Sequence, residues 1–188
     1  MTSGPNVTFS RPKGSAKVGV VSELVISIRH ARPQDAAALS GVFDAAWREA
    51  YQGMIPDLAL RKMIARRGPR WWRSAVGRGR PLVVLDIGEA VAGYASYGRC
   101  RSGTTLADGE VDELYMAPEC QGIGFGARLF KAVRNDMGNR GTRRILVWAL
   151  ADNERACAFY QGLGGRPVAQ TTEHIAGIPL GKTAFLFD

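Results

Sequence analysis

A glycine-rich segment, Gln121-Gly122-Ile123-Gly124-Phe125-Gly126, constrains the fold of this chain more than any other feature. It follows residues 110–117, which alternate as a strand does, and it leads into residues 124–137, whose apolar side chains recur at helical spacing. Glycines between a strand and a helix let backbone N–H groups converge on an anion, because no Cβ blocks the approach. The helix N-terminus adds a partial positive charge. The segment therefore predicts a pyrophosphate-binding loop within an α/β fold.

The segments around this loop predict a mixed arrangement of strands and helices. Two β-rich segments, 81–87 and 90–98, are separated by Gly88-Glu89, which is typical of a hairpin. Residues 144–150 form a continuous apolar run, as in a strand that is buried on both faces. With the remaining periodic segments, the predicted order is β-α-α-β-β-β-α-β-α-β-β, with a break in the second helical segment at Gly68-Pro69.

Length and composition indicate one globular domain preceded by a leader. The chain has 188 residues, of which 46% are hydrophobic and 22% charged, and these values exclude wholesale disorder. Residues 1–22 are rich in Gly, Pro, Ser and Thr and contain three basic residues and no acid. We therefore expect a flexible leader over 1–22 and a single domain over 23–188.

Neither export nor metal binding is indicated by the sequence. No apolar run reaches the roughly 18 residues of a membrane span, and the N-terminus lacks the apolar core of a signal peptide. The three Cys and two His fit no disulfide framework and no zinc-ligand spacing. We expect a cytoplasmic protein with reduced thiols, no membrane partner and no metal.

The net charge of +8 comes mostly from arginine, with 20 Arg against 5 Lys, and should attract anions. The densest basic stretch, residues 61–80, holds eight Arg or Lys, no acid, and both Trp71 and Trp72. A charged helix face is most often simply solvated, but basic side chains between aromatic ones also suit an acidic ligand or nucleic acid. The role of this stretch stays open, and nucleic acid is the less favoured partner.

The glycine loop also fits, loosely, a dinucleotide-binding fingerprint. Gly122, Gly124 and Ala127 match G-x-G-x-x-G/A, and Asp152 follows the next strand, where a ribose-binding acid would lie. Three observations disfavour this interpretation: residues 117–121 separate the loop from the strand, only 36 residues follow Asp152, and a hairpin precedes the loop.

Two segments together resemble the GCN5-related N-acetyltransferases, the GNAT family. LYMAPECQGIGFGARLF, residues 114–130, resembles motif A, whose loop reads Q/R-x-x-G-x-G/A, and the WREAYQGMIP segment is similar to segments of small bacterial members. The residues that resemble motif B follow the next strand: Asn153, Ala156, Phe159, Tyr160 and Gly162-Leu163-Gly164. The resemblance extends from Leu24 to Asp188 and implies an α/β fold with a mixed, mostly antiparallel central sheet flanked by helices.

The resemblance implies acetyl-CoA as the acetyl donor and assigns the parts of its site. The backbone of Leu114, Tyr115 and Met116 would pair with the pantetheine arm like an added strand. The pyrophosphate would be held by the loop and the first helical residues: Gln121, Gly122, Ile123, Gly124, Phe125, Gly126 and Ala127. Asn153 and Phe159 would line the far side of the cofactor. The acceptor site would be bordered by Trp47, Tyr51 and Trp72.

Acetyl transfer to an amine needs a base, an oxyanion donor and an acid for the departing thiolate. Within the resemblance, Tyr160 lies beside the sulfur and can protonate it, and the Met116 N–H can meet the oxyanion. Glu113 is the favoured base, acting through water, and Glu110 is the alternative. Strict alternation would place Glu110 and Asp112 on one face of the strand and Glu113 on the other, unless a β-bulge intervenes.

The sequence thus predicts an acetyl-CoA-dependent N-acetyltransferase in which a primary amine attacks the thioester directly in a ternary complex. The acceptor would be a small-molecule or peptide amine, and we expect the C-terminal strands to offer an edge for a homodimer. Two other functions stay open at this stage: a non-catalytic acyl-CoA-binding domain, and a basic nucleic-acid- or ribosome-associated protein.

Overall fold

The computed structural model describes residues 25–78, 81–101 and 106–188. The expected leader, residues 1–22, and Arg80 of the basic stretch lie outside the described residues. The described chain begins with strand β1, Ile26–His30, and a 3₁₀ turn, Pro33–Asp35, and continues into three helices. These are α1, Ala36–Tyr51; α2, Asp57–Ala65; and α3, Pro69–Val76.

The second half contains most of the strands. The elements follow in the order β2, Leu82–Ile87; β3, Ala90–Arg99; β4, Gly109–Met116; α4, Phe125–Asn139; β5, Ile145–Leu150; α5, Glu154–Gly162; β6, Arg166–Ile175; and β7, Ile178–Phe187. The predicted order is therefore confirmed, and the second helical segment is two helices, because Pro69 cannot continue α2 and instead begins α3 behind the N-cap Gly68.

The strands form one seven-stranded sheet in the order β1-β2-β3-β4-β5-β7-β6. Every neighbouring pair is antiparallel except β4 and β5, which are parallel, so the expected mostly antiparallel sheet is confirmed. Helices α1 to α3 cover one face through an apolar cluster that includes Phe43, Ile64 and Trp72. Helices α4 and α5 cover the other face through a cluster that includes Phe130 and Tyr160.

Strands β4 and β5 separate soon after they meet. Their pairing is limited to Gly109–Val111 against Ile145–Val147, although both strands continue further. Beyond these pairs the carboxyl-terminal half of β4 has an open edge, where its backbone N–H and C=O groups lack a strand partner on that side. This divergence places a cleft in the middle of the sheet.

A β-bulge in β4 sets which acidic side chains enter this region. Glu113 is opposite Ser96 and Val111 is opposite Tyr97, so Asp112 is the extra residue. Val111 and Leu114, three positions apart, both pack on the cluster under α4 and α5. The exception to strict alternation that the sequence left open is therefore the case found here, because the bulge shifts the parity and leaves Glu113 on the side of α1.

The last two strands form a hairpin that extends past β5. Strand β7 pairs with β5 only from Lys182 onward, whereas it pairs with β6 back to its first residue, Ile178. The protruding end packs on the α1 side of the sheet through Ile175, Ile178 and Leu180. The hairpin tip thus lies on the same face of the sheet as α1 and α2.

Candidate active site

Two adjoining cavities occupy the cleft between β4 and β5. One, of about 700 Å³, is lined by the glycine loop, the end of β4 and α5. The other, of about 650 Å³, is lined by α1, α2, the bulged part of β4, β5 and the C-terminal hairpin. Five residues line both cavities and so mark the place where they join: Leu114, Tyr115, Asn153, Ala156 and Tyr160.

The glycine loop forms one end of the first cavity, which we call the cofactor cavity. Gly122 and Gly124 have φ angles of 75° and 88°, a left-handed conformation that side-chain-bearing residues rarely adopt, and Gly124 is the N-cap of α4. Gly126 lies so close to Phe159 that an added Cβ would be 3.4 Å from its Cε2. Ile123 is 63% exposed and lines neither cavity. The loop geometry is that of an anion site at a helix N-terminus.

Gln121 ties this loop to the end of β4 and to α1. Its Nε2 donates to the Met116 carbonyl at 3.0 Å and to the Glu49 carboxylate at 2.7 Å. Glu49 also accepts from Arg155 Nη1 at 2.9 Å, which links α1 to the first turn of α5. Glu49 and Arg155 line the cofactor cavity, and no motif in the sequence indicated either.

The backbone at the end of β4 has its polar groups turned toward the cleft. Ala117 N donates to Ala92 O of β3 at 2.8 Å, whereas Met116 O accepts from Gln121 instead. Because the N–H and C=O of one strand residue point to the same edge and successive residues alternate, the Met116 N–H faces away from β3. The same parity applies to Leu114, two residues earlier. Both residues line the cofactor cavity.

Helix α5 brings Asn153 to the junction and Phe159 to the cofactor cavity. Asn153 is its N-cap, and the Asn153 Oδ1 accepts from Ala156 N at 3.0 Å. Phe159 lines the cofactor cavity and packs against Tyr160 with ring centroids 5.1 Å apart.

Tyr160 is 6% exposed, and its ring is enclosed by Phe130, Phe159 and Phe185. Its hydroxyl makes no hydrogen bond within the described part of the chain. Burial raises the pKa of this phenol above its ordinary value, so it stays protonated across the physiological range.

The two candidate bases lie in different surroundings. Glu113 lines the second cavity, forms an ion pair with Arg67 and accepts from the Tyr94 hydroxyl at 3.0 Å. Glu110 lines neither cavity, and its carboxylate accepts from the backbone N–H of Arg101 at 2.9 Å. The structure thus brings Glu113, but not Glu110, toward the junction that contains Tyr160.

Aromatic residues hold Arg67 in place at the wall of the second cavity. Its guanidinium lies 4.7 Å from the ring centre of Trp71 and 5.0 Å from that of Phe43. Burial disfavours the charged guanidinium, but the Glu113 carboxylate outweighs this effect and raises the pKa of Arg67. The sequence did not reveal this role of Arg67 within the basic stretch, because the residues that Arg67 contacts come from α1, α3 and β4.

The expected aromatic border of the second cavity is present in part. Trp47 and Tyr51 line it, and the Tyr51 and Tyr115 hydroxyls lie 2.8 Å apart. Burial is the main cause that raises the pKa of both tyrosines, so both hydroxyls stay neutral. The expectation for Trp72 is wrong: it is 2% exposed and packs between Phe43 and Tyr94 in the core. Trp148 of β5 lines the cavity, whereas Trp72 does not.

Neither a group of metal-ligating side chains nor a membrane-length apolar helix is found in the part of the chain that the structure describes. Within residues 25–78, 81–101 and 106–188, no three His, Cys, Asp or Glu side chains are grouped as metal ligands would be. Among the described helices, none combines the length and the apolar character needed to cross a bilayer.

Comparisons with known proteins agree with this geometry. The acetyltransferase (GNAT) family matches residues 42–164, which include the glycine loop and α5. The chain is 28% identical over 156 residues to the N-acetyltransferase YuaI of Bacillus subtilis, covering 83% of this chain and 89% of that protein. It is 25% identical over 152 residues to the L-amino acid N-acyltransferase MnaT of Escherichia coli, covering 77% and 82%.

A solved structure gives the same fold. The PaiA N-acetyltransferase of Thermoplasma acidophilum, determined in complex with coenzyme A, superposes with a TM-score of 0.70 at 16% identity, covering 85% of this chain and 98% of that one. The family match covers well over half of the sequence and includes both motifs. The chain therefore belongs to the acetyltransferase (GNAT) family and is an acetyl-CoA-dependent N-acetyltransferase.

Proposed function

We propose that this enzyme transfers the acetyl group directly from acetyl-CoA to an amine that is bound at the same time in the second cavity, hereafter the acceptor cavity. The observation that carries this proposal is that the two cavities share five lining residues, so both substrates meet without a carrier. None of the five shared residues is a cysteine, serine or lysine that would hold the acetyl group covalently.

Tyr160 is the proposed acid. It lines both cavities, its phenol stays protonated because burial raises its pKa, and its ring is held by aromatic packing. As the C–S bond breaks, Tyr160 gives its proton to the departing CoA thiolate. The Met116 N–H, which faces the open edge of β4, would donate to the carbonyl oxygen as its negative charge develops.

Glu113 is the proposed base, and it acts through water. One carboxylate oxygen is paired with Arg67 and the other accepts from Tyr94, so Glu113 is fixed in place rather than free to reach the amine. Each oxygen retains a lone pair that can orient a water molecule toward the acceptor ammonium. In this arrangement Glu113 acts on the amine through a bound water molecule, and Arg67 is its positioning residue.

Glu113→Gln should lower kcat by about tenfold, less than a directly bound base would, because the proton moves through water. Glu110→Gln is the matched control, because it makes the same change on the same strand but outside both cavities. Initial rates at saturating substrates, together with the melting temperature of each variant, check this. Equal rates for Glu113→Gln and the parent would contradict the proposed base, and loss only in Glu110→Gln would exchange the two roles.

We propose a small-molecule or peptide amine as the acceptor. The relatives' own names point to different acceptors, an L-amino acid for MnaT and mycothiol for a protein of Paenarthrobacter aurescens. We further propose that the enzyme is located in the cytoplasm. A homodimer that forms through the exposed strand β6 stays a prediction.

Two measurements test the proposed function. Acetyl-CoA at 100 times its Kd should stabilise the protein by about 2.7 kcal/mol, which is a rise of roughly 5–10 °C in Tm for a domain of this size. The rate of release of free CoA thiol should be higher with at least one amine of a panel than without any amine. NAD serves as the control ligand and should leave the Tm unchanged, because the dinucleotide interpretation is disfavoured.

The outcomes separate the alternatives. Stabilisation without amine-dependent thiol release would favour a non-catalytic acyl-CoA-binding domain. A Tm that does not respond to acetyl-CoA, with a response to nucleic acid instead, would favour the basic nucleic-acid-binding function.

A further inference from the structure

The acceptor cavity has more positive than negative charge on its walls. Three acids line it, and each already has a basic partner: Glu113 with Arg67, Glu173 with Lys182 at 2.8 Å, and Asp112 with Arg101 at 2.6 Å. Two further cations line it, Lys62 and Arg66, and neither forms an ion pair with any described residue. The walls thus carry one more positive than negative charge, and because Asp112 pairs with Arg101 from outside the cavity, two cations are left without an acidic partner among the described residues.

Both cations lie at the C-terminal end of α2, Lys62 in its last turn and Arg66 as its C-cap. Lys62 and Arg66 are four residues apart, a spacing that brings their side chains together on a helix surface. They line the acceptor cavity only and do not line the cofactor cavity. An acceptor whose amine reaches the junction at Tyr160 would therefore have its other end near these two cations.

Apolar and aromatic side chains also line the cavity. Its walls include Trp47, Tyr51, Ile55 and Trp148, and the hairpin tip adds Ile175. A volume of about 650 Å³ accommodates a molecule of amino-acid size with an aromatic or branched side chain. The cavity thus offers three kinds of contact: the junction for the amine, apolar walls, and two cations that do not reach the cofactor cavity.

We infer that Lys62 and Arg66 form an anion subsite that selects amines carrying a carboxylate or a phosphate-like group beside an apolar body. This inference rests on the acetyl transfer proposed above. An anion between the two side chains compensates the charge imbalance and forms charge-assisted hydrogen bonds with the ammonium and the guanidinium. The amine is thereby oriented toward the thioester while the anion is held at α2.

The test compares three acceptors that share one aminomethyl group and one phenyl ring and differ in the group at the opposite end of the ring: 4-(aminomethyl)benzoic acid, its phosphonic acid analogue and 4-(aminomethyl)benzamide. We expect kcat/KM for at least one anionic acceptor to exceed that for the amide by about tenfold, the size of a partly exposed charge-assisted contact. The amide has the less basic amine and is more often uncharged at neutral pH, so amine reactivity acts against this result. The two acids distinguish a carboxylate from a phosphate-like ligand.

A variant carrying Lys62→Ala and Arg66→Ala should lower kcat/KM for the anionic acceptors to that for the amide and so abolish the preference. The matched control carries Arg70→Ala and Arg73→Ala, which removes the same charge from the same basic stretch at exposed residues that do not line the cavity. The control should keep the preference.

Four results would overturn the subsite while acetyl-CoA still stabilises the protein: equal use of amide and acids, a preference for the amide, no turnover of any of the three, or equal loss in both double variants. If acetyl-CoA gave no stabilisation, the proposed function itself would fail, and the Tm distinguishes that case from these four.

Discussion

Tyr160→Phe should lower kcat by about 10²- to 10⁴-fold, the range in which a positioned general acid contributes to catalysis. The affinity for acetyl-CoA should stay within about twofold, because the ring and its contacts with Phe130 and Phe159 are retained. The fold should also keep its stability, since the hydroxyl makes no hydrogen bond within the described part of the chain. Steady-state rates, acetyl-CoA titration and thermal unfolding measure these three quantities.

Tyr97→Phe is the matched control for this variant. Tyr97 is also buried, but its hydroxyl donates to Asp136 at 2.6 Å and it lines neither cavity. We expect Tyr97→Phe to lose stability and to keep kcat, the opposite of Tyr160→Phe. A parallel fall of kcat and acetyl-CoA affinity in Tyr160→Phe would contradict its role as the acid, and so would an unchanged kcat.

The pH dependence of the wild-type enzyme gives a further check on Tyr160. Burial raises its pKa above the ordinary value of 10.0, so the phenol remains protonated and able to donate as the pH rises toward that value. No loss of kcat from Tyr160 should therefore occur below about pH 10. A loss of kcat near neutral pH that disappears in Tyr160→Phe would contradict this assignment.

Gly124→Val should weaken acetyl-CoA binding by at least about 100-fold. Gly124 has a φ of 88°, which a β-branched residue adopts only with strain, so the backbone must change where α4 begins. The loop N–H groups would then no longer converge on the pyrophosphate, and each charge-assisted hydrogen bond lost costs about 1.5–3 kcal/mol. Isothermal titration with acetyl-CoA measures the change.

Gly141→Val separates this effect from general destabilisation. Gly141 has a nearly identical φ of 86°, has no atom within 4 Å of the position a Cβ would take, and lies just after α4, at its other end. Both variants should lose similar stability, but only Gly124→Val should lose acetyl-CoA affinity. Similar affinity losses in the two variants would count against the loop as the pyrophosphate site.

The order of elements was accessible from the sequence because each has a strong local signal. The hairpin at Gly88-Glu89, the apolar run of β5 and the glycine loop before α4 all depend on contacts within a few residues. The sequence indicated the β4 bulge only as an exception that would upset the strict alternation of side chains along β4. It depends on how β3 and β4 register across the sheet, and that register is not encoded in β4 alone.

The cofactor half of the site was more predictable than the acceptor half. The residues expected along the cofactor come from two continuous segments, one from β4 to the start of α4 and one comprising α5 and its N-cap, and most of them line the cofactor cavity. The acceptor cavity is assembled from elements that are distant in the chain, such as Arg67 after α2, Trp148 on β5 and Glu173 on the hairpin. Its composition follows from tertiary packing, which also explains why Trp72 was misplaced.

The hairpin of β6 and β7 allows the choice of acceptor to be changed separately from the binding of acetyl-CoA. Its tip contributes Glu173 and Ile175 to the acceptor cavity but nothing to the cofactor cavity. A two-residue turn, Ala176-Gly177, joins its strands beyond the last pair with β5. Exchanging this tip would alter which amine is accepted and would leave the residues of the cofactor cavity unchanged. New acceptor specificity can therefore be introduced at this tip.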